Sequence, residues 1–175
     1  MKYLLTALLA ATAIITQAQF FDARDYDWSE ANYEKEDLND SLDYIYLLRK
    51  LTYHYHFHND AFVQDKLYHE KVYLNSNEGL EFFNKVYIPS ASKSSDLIQF
   101  KARAIKDGEV IEVNERDIKT GTYQDSDNEF TYFAIDGLEV GTIVEYFYTL
   151  RQSPRTSGIL FDYQFEDIPV KRYEL

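Results

Sequence analysis

Residues 44–58 read YIYLLRKLTYHYHFH. In its last third Tyr53, Tyr55 and Phe57 alternate with His54, His56 and His58, the period-2 pattern of a strand. Turn-forming Asn59, Asp60 and Ala61 follow, and Phe62 to Leu74 returns as a second strand. Asn75 to Gly79 makes the next turn. Leu80 to Ile88 reads as a third strand, ended by Pro89, before a serine-rich loop over Ser90–Asp96. Leu97 to Lys106 carries Phe100, Ala102 and Ala104 on one side. Asp107-Gly108 then predicts a tight hairpin, because a type I′ turn needs positive φ at both central positions. Glu109 to Val113, Asn128 to Ile135, Thr142 to Arg151 and Gly158 to Phe165 complete the set. About eight strands with no alternating helices predict an all-β fold, an antiparallel β-sandwich.

Composition agrees. The chain has 175 residues, 16 Tyr and 12 Phe against a single Met, and flat rings suit half-buried pleated surfaces. The formal net charge of −12 argues against nucleic acid, whose phosphates need Lys and Arg to displace counterions. It also argues against electrostatic anchoring on acidic lipids. Residues 1–18, MKYLLTALLAATAIITQA, pair one early cation with a short apolar run and small residues before Gln19. That pattern predicts a secretory signal peptide cleaved after Ala18, leaving no membrane anchor. There is no cysteine, so disulfides, a thiolate zinc site, a cysteine nucleophile and a lipid attachment cysteine are all excluded. An exported chain without disulfides fits a bacterial periplasm or outer surface. Residues 19–42 form an acidic leader in which Asp27-Trp28-Ser29-Glu30 has capping-box spacing, predicting a short helix from Trp28 to about Asp37. The β domain is expected over residues 43–175.

The histidines have two readings. Imidazoles at i and i+2 on a strand share a face about 6.5 Å apart and can converge on one ion, whereas the ends of the triplet lie roughly 13 Å apart. If Asp60-Ala61 is a two-residue turn, Asp65 faces His56, Leu67 faces His54, and His69 lies diagonal to His54. His54, His56, Asp65 and His69 then form a zinc- or copper-type ligand set. The other reading is an amphipathic strand with Leu51, Tyr53, Tyr55 and Phe57 inward and the histidines in water. No other motif carries chemistry. Asp125, Asp127 and Glu129 have calcium-loop spacing, but Phe130 stands where the loop needs glycine, so an acidic surface loop is expected. Gly-x-Ser-x-Gly, His-Glu-x-x-His and glycine-rich phosphate loops are missing, and with 30 acidic residues no carboxylate pair can be singled out. The residues nominate no catalytic group and no cofactor, and they name no small-molecule ligand.

A further signal lies in the order of DGEVIEV (107–113), Asp117-Ile118, GLEVGTIVEYFY (137–148) and FEDIPV (165–170). From about Tyr44 to the end, the chain resembles the domain-of-unknown-function family that precedes transglutaminase-like domains in exported proteins of Gram-negative bacteria. Residues 137–148 are the most specific part, and the leader from Trp28 to Asp40 is of the same kind. The resemblance implies an exported β-sandwich without established activity of its own, acting as an interaction or scaffolding module. Its implied partner is a protein or a downstream transglutaminase-like domain, with any chemistry in a papain-like Cys, His and Asp set. Without a cysteine, this chain receives no catalytic residue by that route, and the enzyme-class alternative is an N-terminal fragment whose active site lies beyond it. The C-terminal stretch still reads as strand material, giving the expectation that the β domain lacks its last strands.

Overall fold

The computed structural model describes residues 25–29, 41–88, 95–122, 129–154 and 173–174. The expected signal peptide, most of the leader helix, the acidic loop at Asp125–Asp127 and the strand at Gly158–Phe165 lie outside those residues. The described chain is mostly strand, in two sheets with one short helix. The elements are β1 (Tyr44–His58), β2 (Ala61–Leu74), α1 (Asn77–Phe83), β3 (Lys85–Ile88), β4 (Ser95–Lys106), β5 (Glu109–Val113), β6 (Lys119–Thr122), β7 (Glu129–Ala134), β8 (Ile143–Gln152) and β9 (Tyr173–Glu174). The larger sheet runs β5-β4-β8-β2-β1-β9 and the smaller β3-β7-β6. Pairing is antiparallel except for a short parallel contact of β1 with β9.

One face of the large sheet packs on the small sheet. Val144, Tyr146, Tyr148 and Leu150 alternate along β8 and meet Val72 and Leu74 of β2 and Phe100, Ala102 and Ala104 of β4. The small sheet contributes Val86, Ile88 and Phe133, with Phe133 4.5 Å from Phe100 between ring centroids. This is the all-β, sandwich-like fold expected from the alternation.

Two details differ from expectation. Leu80 to Ile88 is not one strand. Ser76 caps a helix by accepting the Gly79 N–H on its side chain, and only Lys85–Ile88 is extended. A strand at Lys119–Thr122 was not expected, because KTGT carries glycine and almost no apolar residue; Phe130 lies over Gly121 from the facing strand, filling the side-chain gap. In the leader, residues 26–29 are irregular, Asp27 Oδ1 accepts the Ser29 N–H at 2.8 Å, and the rest of the expected helix lies outside the described residues. Among the described residues no helix is long and apolar enough to cross a membrane.

Candidate functional site

The hairpin of β1 and β2 turns on Asn59-Asp60, both at positive φ (49° and 63°), the requirement of a type I′ loop. The expected Asp60-Ala61 turn is therefore corrected, with His58 pairing Ala61. The register moves by two residues, not one, so every side chain keeps its face. His54 now lies opposite Asp65, and His56 lies opposite Val63. His69 falls opposite Lys50, four residues along β2 from Asp65 and roughly 13 Å away, so it does not join them.

The outer face of the large sheet, turned away from the small sheet, can be read in rows across the strands. One row is His54, Asp65, Arg151 and Asp96; another is Lys71, Glu145, Arg103 and Glu112. Within each row, charge alternates from Asp65 or Lys71 onward, which favours cross-strand pairing. Two rows containing Leu67, Thr149 and Phe147 separate them. Most of this face is covered: Asp65, Leu67, His69, Lys71, Glu145, Phe147 and Thr149 are all buried.

At the hairpin end, Asp65 is gripped from two sides. Arg151 donates from Nε to Oδ1 and from Nη2 to Oδ2, both at 2.8 Å, and His56 Nε2 lies 2.9 Å from Oδ2. Burial opposes the charged carboxylate, but the hydrogen bonds from Arg151 and His56 outweigh it and hold Asp65 below its ordinary value. His56 stacks on His54 with centroids 4.7 Å apart, and its Nδ1 lies 3.2 Å from the Phe57 carbonyl. One ligand atom from each of His54, His56 and Asp65 fits within 4.8 Å of the others. The amphipathic-strand reading fails here in part. Leu51 is buried, but Tyr53 and Tyr55 are only half-buried, like His54 and His56, and Phe57 is 74% exposed.

The central cluster is built on Glu145, which has no exposed surface. Arg103 Nε donates to Oε2 at 2.7 Å, His69 Nε2 approaches Oε1 at 3.1 Å, and Lys71 Nζ lies 3.9 Å away. Desolvation works against the Glu145 charge; His69, Arg103 and Lys71 overcome it, and the carboxyl stays below its ordinary value. Burial lowers Lys71, with Glu145 opposing that shift. A carboxylate can only accept, so His69 Nε2 carries a hydrogen toward Glu145, and Nδ1 lies 2.7 Å from the Tyr26 hydroxyl. Trp28 follows two residues later. Its carbonyl accepts from Arg103 Nη2 at 3.2 Å, and its ring lies 4.0 Å from the Arg103 guanidinium carbon. Both leader rings meet Phe147 edge-on, at 5.0 and 5.3 Å. Sequence reading found the histidines and the aromatic leader but missed Arg151, Arg103 and Glu145, which join these clusters from β4 and β8. Glu145 carried a signal, a carboxylate between Ile143 and Phe147 on one side of β8, whereas Arg103 lies on the polar side of β4 beside Lys101 and gave none.

A separate surface cleft of about 420 Å³ lies between the β4–β5 hairpin and the turn before β8, lined by Lys106, Asp107, Ile111 and Glu139 among others. Lys106 and Glu139 form an exposed ion pair across it.

No curated protein matches the sequence. A crystal structure of a protein from Parabacteroides distasonis, described as a "putative protease", is similar over 65% of this chain at 14% identity and a TM-score of 0.51. That likeness is one of fold. The chain corresponds to 24% of the length of that structure. The profile of a family described as a domain of unknown function with a solved structure matches residues 64–175, which takes in Asp65, His69, Glu145 and Arg151 but starts beyond His54 and His56. By that match over most of its length, the chain belongs to the DUF3857 family of domains of unknown function.

Proposed function

We propose that this chain is a non-catalytic, exported β-sandwich module that acts as an interaction or scaffolding domain for a transglutaminase-like protein. The observation that carries the reading is the pairing of buried charge. Glu145 is matched by Arg103, His69 and Lys71, and Asp65 by Arg151 and His56. Catalytic acids and bases are commonly shifted toward the working pH; both carboxyls are instead held below their ordinary values. The size relation adds support, because the similar fold occupies about a quarter of a longer protein. Export rests on residues 1–18, whose pattern is that of a cleaved signal.

The test has two arms. Expressed in a Gram-negative host, the chain should be recovered from the periplasm or medium with Gln19 as its first residue; an intact Met1 in the cytoplasm overturns the export reading. The purified chain should release no peptide from casein and incorporate no amine into it. Turnover that Glu145→Gln or His69→Gln abolishes, with the fold intact by circular dichroism, overturns the non-catalytic reading. The rival enzyme-class reading gains some weight from the description of the Parabacteroides distasonis protein. It places the active site in a further segment carrying Cys, His and Asp, and gains if the reading frame continues past Leu175 into such a segment.

A further inference from the structure

Burial does not account for the histidines of β1. An alternating strand is explained when one face is inside and the other in water. At this end of β1 both faces are half-buried, and the most exposed side chain of the apolar set is Phe57. The imidazoles nevertheless lie together, and a turn of one ring would aim both at a single ion. His54 and His56 stack nearly parallel, with 14° between their planes, and both flank the carboxylate of Asp65.

We infer that His54, His56 and Asp65 form a binding site for a divalent first-row transition ion of the zinc or copper class. Two imidazoles and one carboxylate make a borderline donor set that suits Zn²⁺ and Cu²⁺ and disfavours Ca²⁺ and Mg²⁺. One hydrogen bond already sets two of the ligand atoms together. His56 Nε2 and Asp65 Oδ2 share a hydrogen bond at 2.9 Å. An ion that replaces that proton needs only a slight opening, because two ligand atoms about 2.1 Å from one metal sit roughly 3 Å apart. The other nitrogen of the ring is already in place: Nδ1 faces the Phe57 carbonyl at 3.2 Å, the outer hydrogen bond that fixes the tautomer of a ligating histidine. His54 supplies the second imidazole from the adjacent position on the same face. The ion takes the place of the hydrogen between His56 Nε2 and Asp65 Oδ2, and Nδ1 faces a carbonyl that can hold the hydrogen of the ligating ring, with no redox change.

Arg151 limits the site. Its guanidinium holds the Asp65 carboxylate at 2.8 Å to both oxygens and comes within 3.5 Å of His56 Nε2. It orients the ligand, and its charge opposes the incoming cation. Binding is therefore expected to be tighter when that charge is removed.

The experiment is calorimetric titration of the untagged full chain with zinc sulfate and, separately, copper sulfate. The expected result is one saturable site per chain. His54→Gln and His56→Gln should each weaken binding on the order of tenfold or more, and the double variant should not bind. His58→Gln should bind as the unaltered chain does, and Arg151→Gln should bind more tightly. Absence of a saturable site for both ions, affinity unchanged in the double variant, or loss at His58 instead of His54 and His56 overturns the assignment. Circular dichroism of each variant separates a lost ligand from a lost fold.

Discussion

Among the described residues of the leader, Tyr26 is the one whose hydroxyl reaches into the buried charge of the sheet. Its partner His69 has only one nitrogen to offer, because the other donates to Glu145. Removing the hydroxyl leaves Nδ1 of a buried ring without that partner, and a lost hydrogen bond of this kind costs about 1 kcal/mol. Tyr26→Phe should therefore lower the unfolding free energy obtained from urea denaturation by an amount near that figure, while keeping the edge contact with Phe147. Trp28 is the only tryptophan in the chain, so its fluorescence reports this contact directly. In Tyr26→Ala the emission should move toward that of a solvated indole before the β-sheet signal is lost. Coincident loss of both signals would instead make the leader an inseparable part of the core.

At the scale of elements, helix α1 is held at a point that tolerates no added atom. A Cβ at Gly79 would lie 2.3 Å from the Asp43 carbonyl oxygen, a backbone atom that also accepts the N–H groups of Asn75 and Ser76. Gly79→Ala, ordinarily favourable in a helix, should here destabilise by about 1–3 kcal/mol through overpacking; thermal melts of the two proteins decide it, and a raised Tm would contradict the contact. The same element marks where sequence reading stopped. The long strands were legible because β1, β2, β4 and β8 run for ten residues or more, and Asp107-Gly108 turns with positive φ at both residues as its type demands. Residues 80–88 misled because Leu80, Phe82, Val86 and Ile88 mimic alternation, while the deciding signal was the Ser76 cap. In the ligand cluster, face parity was legible and register was not. His54, His56 and Asp65 share a face under either turn, whereas the position of His69 depends on which two residues take positive φ. Arg151 could not be placed without knowing that β8 lies beside β2.

The molecule as a whole buries ionisable groups on both sides of one sheet. Inside the sandwich, Tyr146 donates to Glu70, which Arg49 also holds at 2.8 Å. Burial raises Tyr146 and Tyr148 well above their ordinary value. Groups raised on folding add stability that is complete below the unfolded value and lost as pH climbs through the folded one, so these tyrosines weaken the fold only in strong base. Lys71 is shifted the other way: its folded value lies below 10.5, the unfolded chain binds the extra proton, and rising pH relieves that cost. On the outer face, Asp65 and Glu145 have folded values below their ordinary 3.8 and 4.5. Their contribution is present above those unfolded values. It drains away as pH falls through the folded ones, because the unfolded chain takes up protons that the folded chain refuses. Urea denaturation at a series of pH values should therefore show stability falling steadily below about pH 4.5. Glu145→Gln should be less stable at neutral pH, because Arg103 and Lys71 are left buried without their anion, and its acid slope should be shallower than that of the unaltered chain. An equal slope in the two proteins would mean that Glu145 already exchanges its proton like a surface carboxyl, and that the charged row across β2, β8 and β4 does not hold the sheet together.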